Sequence, residues 1–257
     1  MRAHVAIGLV AVVLAAACLV AGRALAVDPP SCAVPDNLLF VDNNLNRVAA
    51  AVAKQRKLAI AVFGTGSSTL TGTDGPNQAY PARLGEALNQ KLSNVMVRVA
   101  SRTKAGQTAD IMRRSMTDLL RDEKPDLVIW QTGTVDAIRR VEVDEFRVAL
   151  DTGVEALQAG GADVILMNMQ YSPRTESMIA VGPYVDEMRA VAQLRDVPQF
   201  DRFAIMRYWA DEGAFDFYAT GRDTGLAQRV HDCLGRALGA LVVESGHLQS
   251  FVNKTNR

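Results

Sequence analysis

The chain has no surplus charge of either sign: 28 Lys and Arg residues face 28 Asp and Glu. A nucleic-acid binder ordinarily carries a basic excess that neutralises phosphates, so the balance argues against nucleic acid as a partner. Histidine is scarce, at three residues, and His4 falls in the N-terminal apolar segment; there is no Cys-x-x-Cys pair. Residues suited to zinc are therefore too few for a metal site, and nothing in the sequence calls for a cofactor. No internal repeat or low-complexity linker divides the chain. Its 257 residues, 49% of them hydrophobic, suit one large domain with an ample core.

The clearest local signal lies at the N-terminus. Arg2 and His4 form a short basic region, Val5 to Val20 is apolar apart from Gly8, and Ala24-Leu25-Ala26 offers an A-x-A cleavage site. This pattern is that of a secretory signal peptide over residues 1–26, with the mature domain running from Val27 to the C-terminus. The alternative is a membrane anchor, which needs about 18 or more apolar residues; this run is slightly short. A lipoprotein reading at Cys18 is weaker, because Leu14 lies one place too far upstream. The expectation is a periplasmic or secreted protein without stable membrane insertion after signal cleavage. Cys18 would leave with the signal, and the remaining Cys32 and Cys233 are expected to pair in an oxidising compartment; two buried free thiols are the alternative.

Beyond Cys32, apolar runs alternate with amphipathic stretches. Residues 58–63 (LAIAVF), 95–100 (VMVRVA), 127–131 (LVIWQ) and 164–168 (VILMN) read as short buried strands, and a fifth near 197–200 is weakened by Pro198. Helical patterns cover 37–55, 79–91, 108–121, 144–159, 176–194, 203–212 and 225–244. Near-continuous apolar strands separated by helices predict a parallel sheet covered on both faces. In such sheets ligands bind beyond the carboxyl ends of the strands, which directs attention to the segments after Phe63, Ala100, Gln131 and Asn168.

The first of these segments is FGTGSSTLTG, residues 63–72. Its small and hydroxyl residues permit sharp turns that expose backbone N–H groups. Read alone it is a Gly-rich or phosphate-binding loop, although no Gly-Lys-Ser/Thr follows to make it a Walker A motif. In context, Gly66-Ser67-Ser68-Thr69-Leu70-Thr71-Gly72 is similar to the first block of the SGNH/GDSL hydrolase superfamily, where a serine lies two places after one glycine and four before another. That register selects Ser68 over Ser67. Tyr80-Pro-Ala-Arg-Leu84 looks like the helix start that follows this block. Ala105-Gly106-Gln107-Thr108-Ala109 resembles the second block, Trp130-Gln-Thr-Gly-Thr-Val-Asp-Ala137 the third, and Met167-Asn-Met-Gln-Tyr171 is also similar to family members. The resemblance covers almost all of the mature chain in correct order.

The resemblance implies a three-layer α/β/α, flavodoxin-like SGNH-hydrolase fold of about five parallel strands, and acyl transfer to serine. It makes Ser68 the nucleophile, places an oxyanion on the N–H groups of Ser68 and Gly106, and looks for a base near the last helix. His231 sits there; His247 lies past the helix and is the poorer choice. Two departures stand out. Val135 occupies the place of an asparagine that donates to the oxyanion, a donor worth roughly 2.7–4 kcal/mol; Thr132, Thr134 or Asn168 are candidate substitutes. Gln228 stands where the family has an aspartate three residues before the histidine. Asp223 is then the better candidate for the supporting carboxylate, Asp232 points away, and Asp136 braces its loop. Two functions follow. One is an extracytoplasmic serine esterase, or an acyltransferase to carbohydrate, acting on a small-molecule or carbohydrate ester. The other is a binding protein that kept the fold and lost the chemistry.

Overall fold

A five-stranded sheet organises the chain in the order β2-β1-β3-β4-β5, with all neighbours parallel. The strands are β1 (Lys57–Gly64), β2 (Met96–Thr103), β3 (Leu127–Gln131), β4 (Asp163–Met167) and β5 (Gln199–Phe200). The computed structural model describes residues 32–39, 41–218 and 224–253, all within one compact unit. The signal-peptide segment and Asp223 lie outside the described residues.

Side chains alternate across each central strand, so an apolar strand feeds two cores. Leu58, Ile60 and Val62 of β1, with Leu127 and Ile129 of β3, join one core under the helices Asn46–Gln55, Tyr80–Lys91, Arg202–Asp211 and Thr224–Ser245. Ala61 and Phe63, with Val128 and Trp130, join the other core under the helices Met116–Glu123, Val143–Ala159 and Gly182–Leu194. These two cores are the physical content of the three-layer α/β/α arrangement.

The structure refines several expected elements. The stretch 108–121 forms two helices, Ala109–Arg113 and Met116–Glu123, and 176–194 is broken before Gly182-Pro183. Residues 95–100 read as buried, but β2 is an edge strand and Met96 is 67% exposed. The fifth strand is only two residues long, because Pro198 has no N–H and joins the sheet through its carbonyl alone, accepting from Leu166 N–H at 3.0 Å.

Two helix contacts position the site. Cys32 is disulfide-bonded to Cys233 in the helix Thr224–Ser245, with Cα atoms 5.2 Å apart. Gly235, two residues further, lies against the helix Tyr80–Lys91 so closely that a Cβ there would stand 2.5 Å from Arg83 Cβ and 2.8 Å from Leu84 N. That approach brings His231 to the start of the Tyr80 helix. Among the described residues, no helix is long and apolar enough to cross a membrane, and no three His, Cys, Asp or Glu side chains gather as a metal-binding group.

Candidate active site

The segment after β1 folds as a short 3-10 turn, Gly66–Ser68. Ser68 is buried at its base. Its hydroxyl packs over Gly64, where a Cβ would fall 2.2 Å from Ser68 Oγ, so only glycine admits the serine. Ser68 Oγ is 2.9 Å from Gln131 Oε1 at the end of β3 and 2.8 Å from the Tyr80 hydroxyl. The amide orientation is fixed, since Gln131 Oε1 also accepts from Thr65 N–H and from the Thr65 hydroxyl, both at 3.0 Å. A carbonyl oxygen only accepts, so Ser68 spends its one proton on Gln131 and the Tyr80 hydroxyl donates to Ser68. The Ser68 N–H donates to the Thr65 carbonyl at 3.0 Å, closing the turn.

His231 reaches the same tyrosine from the other side. Its Nδ1 accepts the Tyr80 backbone N–H at 3.0 Å, and the two rings lie 5.8 Å apart. The accepting Nδ1 leaves the proton of the neutral ring on Nε2. Burial, then the nearby Arg202 guanidinium, lowers the His231 pKa to about 3. Ser68 and His231 thus both bond to Tyr80, one to its hydroxyl and the other to its amide, and these bonds do not join serine to imidazole. His247 is at the surface, against Asn44. Gln228 is exposed, and Asp232 pairs with Arg236.

Gly106 adopts φ +75°, a left-handed conformation suited to glycine, in the loop after β2. The residue of the serine turn that meets this loop is Gly66: a Cβ on it would lie 3.4 Å from the Ala105 Cβ. Asp136 Oδ1 accepts the Ala109 N–H at 2.9 Å and so ties the end of the third block to the end of the second, while burial raises its pKa. Val135 is half-buried in the first turn of the helix Thr134–Arg139. Asn168 cannot stand in for the missing donor as it is placed. Its amide donates to Asp201 Oδ1 at 2.6 Å, and its carbonyl accepts from Phe203 N–H at 2.9 Å. The Thr134 hydroxyl is buried without a hydrogen-bond partner.

Three residues of this network escape a reading of the sequence. Tyr80 reads as a helix start and Gln131 as the polar end of an apolar strand, and Arg202 lies just outside the helical pattern 203–212. Arg202 is fully buried. Its Nη1 donates to Ser67 Oγ at 3.3 Å, its Nη2 donates to Gln170 Oε1 at 3.1 Å, and its guanidinium lies 5.6 Å from the Tyr80 ring centre. Arg202 and His231 share a cavity of about 200 Å³. A larger cavity, about 570 Å³, opens beside Thr108, Asp136 and Phe146.

Comparison with known proteins agrees with this architecture. The profile of the non-GDSL lipase-like family matches residues 31–248. The crystal structure of TesA superposes with a TM-score of 0.56 at 22% identity, covering 71% of this chain and 98% of that one. The esterase EstA from Pseudoalteromonas sp. gives 0.55 at 16% identity, covering 74% and 98%. A catalytic mutant of an acetylxylan esterase from Geobacillus stearothermophilus gives 0.57 at 16% identity, covering 73% and 94%. Among curated proteins none matches the sequence.

Proposed function

Given that the chain belongs to the non-GDSL lipase-like family, we propose that it is an exported ester hydrolase of the SGNH type, acting on O-acyl esters through an acyl-serine at Ser68. The observation that carries this reading is the contact between the serine turn after β1 and the Ala105–Gly106 loop after β2, at the carboxyl edge of a parallel sheet. That is where a parallel sheet holds its ligands. In this reading Ser68 Oγ attacks the ester carbonyl carbon, the oxyanion rests on the Gly106 N–H, the alcohol departs, and water releases the acid. Gln131 accepts a hydrogen bond but cannot take the serine proton. His231 is the base at this end of the sheet, with Asp223 as its carboxylate, once the ring leaves the Tyr80 amide. Substrate binding must therefore offset the loss of two hydrogen bonds, and turnover is expected to be slow. The acetylxylan esterase among the structural neighbours makes an acetyl ester the first substrate to assay. Ser68→Ala should abolish hydrolysis of p-nitrophenyl acetate, while Ser67→Ala should retain it. The reverse result would move the reacting hydroxyl to Ser67, beside Arg202.

A second reading, a ligand-binding protein without turnover, is favoured by a different observation. The Ser68 hydroxyl, the Ser68 amide and the His231 lone pair are all committed to other partners. Under that reading the parent and both serine variants hydrolyse the ester equally slowly.

Export is the other part of the proposal. The Cys32–Cys233 bond supports it, because structural disulfides persist in oxidising compartments. The intact mass of protein from the cell envelope should correspond to a chain beginning at Val27; a chain retaining Met1 would contradict it.

A further inference from the structure

Among the described residues, Arg202 is a charge without a counter-charge. It is fully buried, yet its hydrogen-bond partners are a serine hydroxyl and a glutamine carboxamide, and Nε has none. Among the described residues it forms no ion pair. Tyr80, whose ring centre lies 5.6 Å from the guanidinium, stays neutral because burial pushes its pKa up to about 12, and the guanidinium, lowered to about 10 by burial, stays protonated at neutral pH. Arg202 also opens the helix Arg202–Asp211, where the helix dipole adds positive potential to the guanidinium. A buried cation in such surroundings requires an anion.

The cavity beside it is built to receive one. Arg202 lines it together with His231, whose Nε2 carries the ring proton because Nδ1 accepts from Tyr80. Ser172 adds a hydroxyl, and Met206, Phe217 and Leu226 supply apolar wall. The volume, about 200 Å³, equals about six water molecules, which suits a carboxylate on a short hydrocarbon stem. Arg202 links this cavity to the serine turn, because it lines the cavity and donates to Ser67, the neighbour of Ser68.

We propose that the Arg202–His231 cavity binds the carboxylate of the substrate, so that the preferred ester carries a carboxylate a few atoms from its scissile carbonyl. Calling the ligand a substrate rests on the hydrolase reading; binding of the carboxylate does not. A carboxylate in this cavity lies beside the Arg202 guanidinium and the His231 ring, with its stem against Met206 and Phe217.

The test pairs turnover with binding. Mono-p-nitrophenyl glutarate and p-nitrophenyl valerate have acyl chains of equal length and differ in the terminal carboxylate. The parent protein should prefer the glutarate ester in kcat/KM by about tenfold or more, the worth of a charge-assisted hydrogen bond. Glutarate itself should bind in calorimetry and raise the melting temperature. Arg202→Met should lose both the preference and the binding. Because that variant leaves a hole in the core and can fail to fold, Gln170→Glu is the second arm. It places a carboxylate of nearly the same shape beside the guanidinium, and it should raise the melting temperature while abolishing glutarate binding. Glutarate binding without ester turnover would keep this inference and discard the hydrolase reading. Hydrolysis of the valerate ester with no glutarate preference and no glutarate binding would overturn the inference and keep the hydrolase. Undiminished glutarate binding in Gln170→Glu would also overturn it.

Discussion

His231 shows how burial sets a residue's behaviour. Its folded pKa, about 3, is below the ordinary histidine value of 6.5. The folded state therefore holds the ring neutral while the unfolded chain takes up a proton as the pH falls below 6.5. Stability from this group is complete above pH 6.5 and is lost on acidification toward pH 3. The linkage amounts to about 3 kcal/mol between pH 7 and pH 4. Unfolding free energies at those two pH values should therefore differ by about that much more in the parent than in His231→Asn, which can still accept from Tyr80 N–H but does not titrate. Equal pH dependence in the two proteins would show that His231 is not held neutral. The same numbers bear on chemistry. A base works best with a pKa near the operating pH, so His231 serves as a base only in a complex that releases it from the Tyr80 amide and from the field of Arg202.

At the scale of elements, the site depends on how closely two helices approach. A Cβ on Gly235 would collide with Arg83 Cβ and the Leu84 backbone, and His231 sits one turn before Gly235 on the same helix. Gly235→Ala should therefore push the helices Tyr80–Lys91 and Thr224–Ser245 apart, costing about 1–3 kcal/mol as overpacking does, and loosen the hydrogen bond from Tyr80 N–H to His231. Chemical denaturation measures the first effect, and the imidazole nitrogen shifts in NMR report the second. Unchanged stability would mean that the backbones are not in contact there. The strands were legible in the sequence because central strands of a parallel sheet are apolar on both faces, and the loops because chemistry gathers at carboxyl ends. The breaks within helices were less so: the Ala109 and Met116 helices share one amphipathic pattern, and no glycine or proline marks the break between them. The hydrogen-bond network was hidden for a different reason. The partners of Ser68 are 63 and 12 residues away in sequence, and a tyrosine or glutamine at an element's end carries no signal of which hydroxyl it will meet. Arg202 was hidden because a single arginine at a helix start is usually solvated.

For the whole molecule, the Cys32–Cys233 bond spans 201 residues and ties the N-terminal lead-in to the helix of His231. The chain-entropy model gives about 5 kcal/mol for a loop of that length, as an upper figure. The double variant Cys32→Ser, Cys233→Ser should melt at a lower temperature than the parent. Any activity should fall before the domain unfolds, because His231 is two residues from the lost link. A reduced protein as stable as the oxidised one would contradict this.

The central claim is that Ser68 takes an acyl group, and its most direct measurement is reaction of the purified mature protein with a fluorophosphonate, read by intact mass and peptide mapping. The account predicts one adduct per chain on Ser68, absent from Ser68→Ala and retained in Ser67→Ala. A parent protein that takes up no label, while remaining folded and binding glutarate, would contradict it and leave a binding protein on a hydrolase fold.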